Sequence, residues 1–254
     1  MSVEVFNRRE QKYLITKKQY EKLLEKISPY MRADRLGDEG RYTVTSLYFD
    51  SVDHKIYFET KNKLPFRQKL RLRIYGQAGL EDPSFFEVKQ KHSQVVNKRR
   101  TSLPLQQAYR YISMTKDGSK EEVKEMLRDS QVLREIDRFR SLYQLRPEMI
   151  VSYDRLALFA VDDPQLRITF DLNLRTRSED LHLENGPDGV NFIDPGLVVL
   201  EVKVNNSVPL WLARILQELE CEQRSASKYC TSMELLRGHE LPNGINKEKV
   251  VLER

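Results

Sequence analysis

Apolar and polar residues alternate with a period of two along much of the chain, as in strands that have one covered face. The alternation predicts strands over residues 5–15, 42–50, 55–61, 68–76, 84–91, 94–103, 147–161, 165–177 and 196–204. A helical period predicts helices within residues 16–27, 104–145, 209–219 and 225–236. Thr16 is the expected N-cap of the first helix, and Val123, Met126 and Leu127 mark one helical segment of the second region.

No internal repeat, low-complexity tract or long linker divides the 254 residues. Many strands and several amphipathic helices therefore predict one α+β domain, which we place over residues 1–237. Residues 238–254 are polar, and we expect them to form a loosely attached tail.

The polar faces of the predicted strands carry charged residues at central positions. Lys69, Arg71 and Arg73 share one face of their strand, while Leu70 and Leu72 lie on the other. Similar same-face sets are Arg8, Glu10 and Lys12; Glu87, Lys89 and Lys91; Lys98 and Arg100; Arg167, Thr169 and Asp171; and Glu201 with Lys203.

Two arrangements of the sheet are compatible with these faces. An open sheet with one solvated face commonly carries Lys, Arg and Glu. A solvated face also carries Ser, Thr, Asn and Gln, whereas here charged residues recur at the centre of strand after strand. We therefore favour a sheet that closes into an eight-stranded antiparallel tunnel, with charges inside and helices packed on the outer apolar face.

Such an interior predicts a metal and phosphate site. Arginine side chains bind phosphate oxygens in a bidentate manner, and buried cations require counter-charge. Carboxylates among them are poorly suited to phosphate but suit a hard divalent cation, Mg²⁺ or Mn²⁺. No P-loop, GxGxxG or GxSxG motif appears in the chain.

Composition and charge narrow the function classes. The chain has 43 Lys and Arg against 38 Asp and Glu, a net charge of +5, and charged residues make up 32%. This excess is small and no recognition motif accompanies it, so we expect no nucleic acid as a partner. The chain has no long apolar segment and no secretory signal, and its two cysteines form no metal motif. We therefore expect a cytoplasmic protein.

Several motifs, taken in order, resemble a known family. RREQKY resembles the first strand of the triphosphate tunnel metalloenzymes. SLYFDS, KLRLRIY, FEVKQK, SYDR, LEVKV and SASKYC resemble the catalytic domain of the vacuolar transporter chaperone (VTC) polyphosphate polymerases. The resemblance extends from about residue 5 to residue 236 and implies an eight-stranded antiparallel tunnel that binds triphosphate or polyphosphate.

The resemblance also implies roles for particular residues. The residues expected to bind phosphate and act in catalysis are Lys12, Arg71, Arg73, Lys89, Arg155, Lys203 and Lys228. Further substrate-binding residues on the matching faces are Lys91, Arg100 and Arg167. Glu201 is the expected principal ligand of Mn²⁺ or Mg²⁺, with Glu10, Glu87 and Asp171 as helpers. Lys228 is expected to lie on a helix across one mouth of the tunnel.

The function that the resemblance implies is metal-dependent phosphoryl transfer on inorganic polyphosphate, with ATP as the donor for synthesis. Two alternatives stay open: hydrolysis of tripolyphosphate or nucleoside triphosphate, and polyphosphate binding without catalysis. ATP, polyphosphate and tripolyphosphate are the expected ligands. In the family, eukaryotic members also carry membrane helices, so a separate membrane protein is a candidate partner.

Overall fold

The computed structural model describes residues 9–92, 95–117, 125, 128, 130–224 and 227–240. The strands of this part of the chain are β1 (Arg9–Thr16), β2 (Met31–Ala33), β3 (Arg41–Asp50), β4 (Phe66–Tyr75), β5 (Pro83–His92), β6 (Val95–Pro104), β7 (Arg146–Ala160), β8 (Arg167–Arg177), β9 (Val190–Asn191) and β10 (Leu197–Val204). The helices are α1 (Lys17–Ile27), α2 (Lys55–Lys61), α3 (Leu105–Asp117), α4 (Gln131–Tyr143), α5 (Leu210–Glu218) and α6 (Lys228–Glu240).

Eight strands form one antiparallel path in the order β1-β10-β8-β7-β3-β4-β5-β6, while β2 pairs with β7 and β9 with β8. The sheet curls along this path. Glu10 on β1, the first strand, lies 3.8 Å from the Lys89 ammonium on β5, the seventh strand. The expected eight-stranded antiparallel tunnel with helices outside is confirmed.

The outer face of the tunnel is covered by two apolar clusters. In one, residues such as Leu70 on β4 pack under α3, α4 and α6, where Ile136 is fully buried. In the other, Leu200 on β10 packs with Leu23 of α1 and Leu212 of α5. Each fully buried aliphatic side chain contributes about 1.5–3 kcal/mol, so the tunnel wall is stabilised from outside and its interior can be polar.

The first helix begins where the sequence predicts. The Thr16 hydroxyl accepts a hydrogen bond from the Gln19 amide (3.2 Å), and the Gln19 side chain accepts one from the Thr16 amide (2.8 Å). This reciprocal pair is a capping box, which satisfies two amides that a helix start would otherwise leave unpaired. The cap predicted at Thr16 is confirmed.

The strand predicted over residues 55–61 is wrong, because this segment forms α2. The Asp50 carboxylate accepts hydrogen bonds from the amides of Ile56 (2.9 Å) and Tyr57 (3.0 Å), and the Ser51 hydroxyl accepts one from the Lys55 amide. A carboxylate at a helix start satisfies free amides and stabilises the positive end of the helix dipole. These caps come from residues before the segment, so its own alternation did not reveal them.

Other differences concern short or terminal elements. The sequence analysis did not predict β2 and β9, which are three and two residues long. The helical segment predicted at Val123, Met126 and Leu127 lies outside the described residues. Most of the expected tail also lies outside them, and its first residues, 238–240, belong to α6. Among the helices that the structure describes, none is long and apolar enough to cross a membrane.

We predict that Asp50→Ala lowers the free energy of unfolding by at least about 3 kcal/mol, because hydrogen bonds to a charged group contribute about 1.5–3 kcal/mol each. The buried Asp50 carboxylate accepts from two amides of α2 and from the Tyr229 hydroxyl of α6. Urea unfolding measures the change. Asp53→Ala, at an exposed carboxylate in the same turn, is the control and should lower stability much less. Equal losses in the two variants would contradict this role of Asp50.

Candidate active site

The inner face of the tunnel brings charged residues of neighbouring strands into direct register. On β4 and β5, Arg71 pairs with Glu87 and Lys69 with Lys89. Elsewhere, Lys12 pairs with Glu201, Arg155 with Asp171, and Lys203 with both Glu10 and Arg167. Because side chains alternate across a strand, these registers aim the charges predicted to share a face into one space.

Glu87 is the centre of one ion cluster. Its buried carboxylate lies 2.5–2.6 Å from two nitrogens of Arg71, 3.7 Å from Arg73 and 2.7 Å from Lys98. Burial would raise the pKa of Glu87, but the charges of Arg71, Arg73 and Lys98 outweigh it and hold the pKa well below its usual range. Glu87 is therefore ionised and serves these three cations as a counter-ion.

Asp171 is the centre of a second cluster. Arg155 donates to both of its carboxylate oxygens, at 2.7 and 2.9 Å, and the Lys228 ammonium lies 2.6 Å away. Burial opposes ionisation, but Arg155 and Lys228 outweigh it and lower the pKa of Asp171 to about 2. Lys228 thus enters the tunnel from the first residue of α6.

Glu10 and Glu201 form a third cluster with lysines. The Lys12 ammonium lies 3.1 Å from Glu10 and 4.0 Å from Glu201, while Lys203 contacts Glu201 and Lys89 contacts Glu10. Burial would raise the pKa of Glu201, but Lys203 and Lys12 are the main charges that outweigh it, and the pKa lies well below its usual value. The pKa of Glu10 is also lowered, because the three lysines outweigh burial and the nearby Glu201 charge.

Two tyrosine hydroxyls position the arginines of β4, and the sequence analysis missed both. Arg71 donates to the Tyr48 hydroxyl (3.2 Å), and Arg73 donates to the Tyr153 hydroxyl (3.1 Å) and to Ser46 (3.0 Å). Burial would raise the pKa of Tyr48, but Arg71 and Arg73 outweigh it and lower the pKa to about 8. Tyr48 shares its strand face with Ser46, a signal that its apolar neighbours concealed.

Lys69 also belongs to the site and was not among the predicted binding residues, although it shares a face with Arg71. Within the described part of the chain, its ammonium donates to the Ser227 hydroxyl at 2.9 Å and forms no ion pair with a carboxylate. Burial is the main cause that lowers the pKa of Lys69 to about 8, and the charges of Lys12 and Lys89 add to it. The period-two alternation that places Lys69 on the face of Arg71 could have identified it as a binding residue.

Three predicted substrate-binding residues form no ion pair with Glu10, Glu87, Asp171 or Glu201 in the part of the chain that the structure describes, although Arg100 is in register with Glu87. Lys91 pairs in register with Arg67 where β4 begins. Arg100 lies over the Phe85 ring, 4.6 Å from its centre, and Arg167 forms an ion pair with Asp34 at 2.9 Å. Their roles in binding stay predictions.

The four predicted metal ligands do not meet at one point. Among the residues that the structure describes, no three His, Cys, Asp or Glu side chains are grouped to hold a metal ion. Glu10 and Glu201 lie together. The buried Thr169 hydroxyl is in register with Glu201 and has no hydrogen-bond partner among the residues that the structure describes. Carboxylate and hydroxyl oxygens suit Mg²⁺ or Mn²⁺, which commonly use only one or two protein carboxylates, so this donor set fits such an ion.

Comparison with known proteins identifies the family. A family model described as the VTC domain matches residues 7–237. The chain belongs to the VTC domain family. This confirms the resemblance that the order of motifs indicated.

Relatives of this VTC domain include the same subunit of a complex from two organisms. Vacuolar transporter chaperone complex subunit 4 of Trypanosoma brucei brucei is 25% identical over 281 residues, covering 93% of this chain and 35% of that protein. The subunit 4 of Trypanosoma cruzi is 24% identical over 230 residues, covering 77% of this chain and 28% of that protein. The chain thus spans about a third of the length of these curated relatives.

A solved structure agrees in fold. A proposed adenylyl cyclase from Hippeastrum, described as having a dominant triphosphatase activity, superimposes with a TM-score of 0.52 at 15% identity. The match covers 92% of this VTC domain and 97% of that chain. At this identity, the likeness concerns the tunnel fold.

The lowered pKa of Lys69 predicts a pH dependence of anion binding. Lys69 is protonated below about pH 8 and loses its charge above it, so tripolyphosphate should bind more weakly as the pH rises from 7 to 9. One group with a pKa of about 8 accounts for roughly a tenfold loss over this interval. Calorimetric titration with tripolyphosphate should show a shallower pH dependence for Lys69→Met than for the wild type.

The protonation of tripolyphosphate itself also changes with pH, but it does so equally for every protein variant. A difference between the pH profiles of two variants therefore comes from the protein. Lys91→Met changes a lysine of the same face but leaves Lys69 in place, and should keep the wild-type pH dependence. Identical profiles for Lys69→Met and the wild type would show that Lys69 does not bind the anion.

Proposed function

We propose that this VTC domain catalyses metal-dependent phosphoryl transfer on inorganic polyphosphate and that it extends the chain with ATP as the donor. The observation that carries the proposal is a row of cations along the tunnel. Arg67, Lys69, Arg71 and Arg73 alternate along β4 on its inner face. At about 3.3 Å per residue, this row is roughly 20 Å long, which suits an extended linear polyanion.

The proposed chemistry needs charge neutralisation and positioning more than covalent catalysis. A terminal oxygen of the polyphosphate attacks the γ-phosphorus of ATP, the bond between this phosphorus and the β-phosphate oxygen breaks, and ADP leaves. Arg71, Arg73, Arg155 and Lys228 would neutralise the oxygens of the transferred group. The hydroxyls of Tyr48 and Tyr153 hold the guanidinium groups of Arg71 and Arg73 in place.

Glu201 and Glu10 are the residues that we propose to hold the divalent ion, with Glu87 and Asp171 as predicted helpers. The ion, when bound, would withdraw charge from the phosphate oxygens. Glu201 is the better anchor of the pair, because its side chain is 8% exposed whereas that of Glu10 is 27% exposed.

The names of the relatives support a role within a protein complex. Both are subunits of a vacuolar transporter chaperone complex, and we propose that this VTC domain also acts within an assembly. A separate membrane protein as partner and a cytoplasmic location belong to the proposal.

We predict that ATP with Mn²⁺ yields long polyphosphate and ADP. Gel electrophoresis with a polyphosphate stain separates the products, and a nucleotide assay measures ADP. Lys228→Ala should shorten the chains, because it removes a cation that enters the tunnel beside Asp171, while Lys228→Arg should retain much of the length. Orthophosphate as the only product from ATP or tripolyphosphate would identify a triphosphatase, and binding without turnover would identify a binding module.

We predict that Glu201→Gln weakens activation by Mn²⁺ by at least about 100-fold, since even residues that only support a metal ligand affect affinity by about 10–100-fold. Titration of Mn²⁺ against activity, together with calorimetric Mn²⁺ binding, measures the loss. Glu222→Gln, at an exposed carboxylate paired with Arg224, is the matched control and should leave both curves unchanged.

The Glu87→Gln variant separates a metal ligand from a counter-ion. Glu87 contacts three cations, and removing one partner from a buried ion pair costs about 3–5 kcal/mol of stability. Glu87→Gln should therefore lower stability more than it shifts the Mn²⁺ curve.

An unchanged Mn²⁺ curve in Glu201→Gln would remove Glu201 from the metal site.

A further inference from the structure

One end of the tunnel carries aromatic side chains on its inner face. This aromatic mouth consists of Tyr42 near the start of β3, Tyr75 at the end of β4, Phe85 near the start of β5 and Phe159 near the end of β7. Each ring lies on the same strand face as a charged or hydroxyl group that points into the interior. Tyr75 shares its face with Arg73, and Phe85 shares its face with Glu87. All four rings are partly exposed.

Three of the four rings meet edge to face. The Tyr75 ring lies 5.8 Å from that of Tyr42, at an interplanar angle of 74°, and 5.6 Å from that of Phe85, at 60°. Tyr75 is therefore the centre of the group. Such tilted contacts leave aromatic surface uncovered, whereas a stack would cover it, and this agrees with the partial exposure of the rings.

Arginines lie among the rings. The Arg100 guanidinium is 4.6 Å from the centre of the Phe85 ring, and that of Arg167 is 5.0 Å from the centre of the Phe159 ring. Arg167 also donates to the Tyr42 hydroxyl at 3.3 Å. Alternating aromatic and guanidinium surfaces are the combination on which nucleobases stack.

The opposite end of the tunnel has a different character. Where β4 begins and β5 ends, the inner face presents Arg67 and Lys91 in register, followed by Lys69 and Lys89. An inorganic polyphosphate requires cations and has no apolar part that aromatic rings would bind. The rings at the first end therefore suit a ligand with a flat, apolar group next to its phosphates.

We propose that the aromatic mouth binds the base of a nucleoside triphosphate whose phosphates point into the tunnel. Tyr75 and Arg73 are two residues apart on one face of β4, so this ring and this phosphate-binding cation are separated by about 7 Å. Base and triphosphate of one molecule can span this step. Stacking accepts any base, so the mouth favours nucleoside triphosphates as a class and leaves the lysine-lined end to the inorganic chain.

The inference rests on the proposed function, and a comparison of two ligands tests it. Calorimetry in EDTA, which prevents metal-dependent turnover, measures binding of the β,γ-imido analogue of ATP and of tripolyphosphate. Tyr75→Ala should weaken binding of the ATP analogue by roughly 5- to 150-fold, the range of alanine substitutions at base-stacking residues. Its affinity for tripolyphosphate should stay close to that of the wild type.

Two further variants make the result decisive. Tyr75→Phe keeps the ring and should retain binding of the ATP analogue, and Phe85→Ala provides a second removal of aromatic surface. Retained affinity for tripolyphosphate also shows that a variant is folded. If the affinity for the ATP analogue stays unchanged in both alanine variants, or falls only in parallel with that for tripolyphosphate, the base does not bind at this mouth. A wild type that binds neither ligand, in EDTA or with Mn²⁺ added, would overturn the proposed function itself.

Discussion

The enclosure of many cations in one narrow space is the constraint on which the rest of this structure depends. Unpaired buried charges are strongly disfavoured, so each carboxylate of the interior serves several cations. Glu87 contacts three of them, Asp171 contacts two, and Lys12 lies between Glu10 and Glu201. The carboxylates offset only part of the positive charge. The positive charge that remains is the physical basis of the proposed binding of a polyanion along the tunnel.

The same constraint links the site to the packing outside it. The first turn of α6 sends Lys228 inward to Asp171, while the next residue, Tyr229, donates its hydroxyl to the buried Asp50. Asp50 also accepts from the amides that begin α2. The buried Asp50 carboxylate therefore anchors the helix whose first residue reaches the interior. The position of Lys228 thus depends on hydrogen bonds that Lys228 itself does not make.

Much of the tunnel could be predicted from the sequence, because an alternation with a period of two determines which side chains share a face, whichever strand is the partner. Lys69, Arg71 and Arg73 were placed together in this way. The partners were not predictable, since the contact of Glu87 with Lys98 depends on the register of β5 with β6. Alternation wrongly predicted a strand at residues 55–61, where the side chains of Asp50 and Ser51 accept hydrogen bonds from the first amides of a helix and stabilise it. The signal of Tyr48, which shares a strand face with Ser46, was concealed by the apolar residues beside it.

The interior carboxylates differ in how readily they can give up their cations. Asp171 is bound at both oxygens by the rigid fork of Arg155, and such bidentate pairs are the stronger ones. Within the described ranges, the ion pairs of Glu10 are with lysine ammonium groups alone, at 3.1 and 3.8 Å. Lysine ammonium groups sit on flexible stems that can turn to another anion. An incoming phosphate can therefore take over Lys12 and Lys89 more easily than it can take over Arg155. This difference supports the proposal that a divalent ion binds at the Glu10 and Glu201 end of the interior, where it would replace an ammonium group.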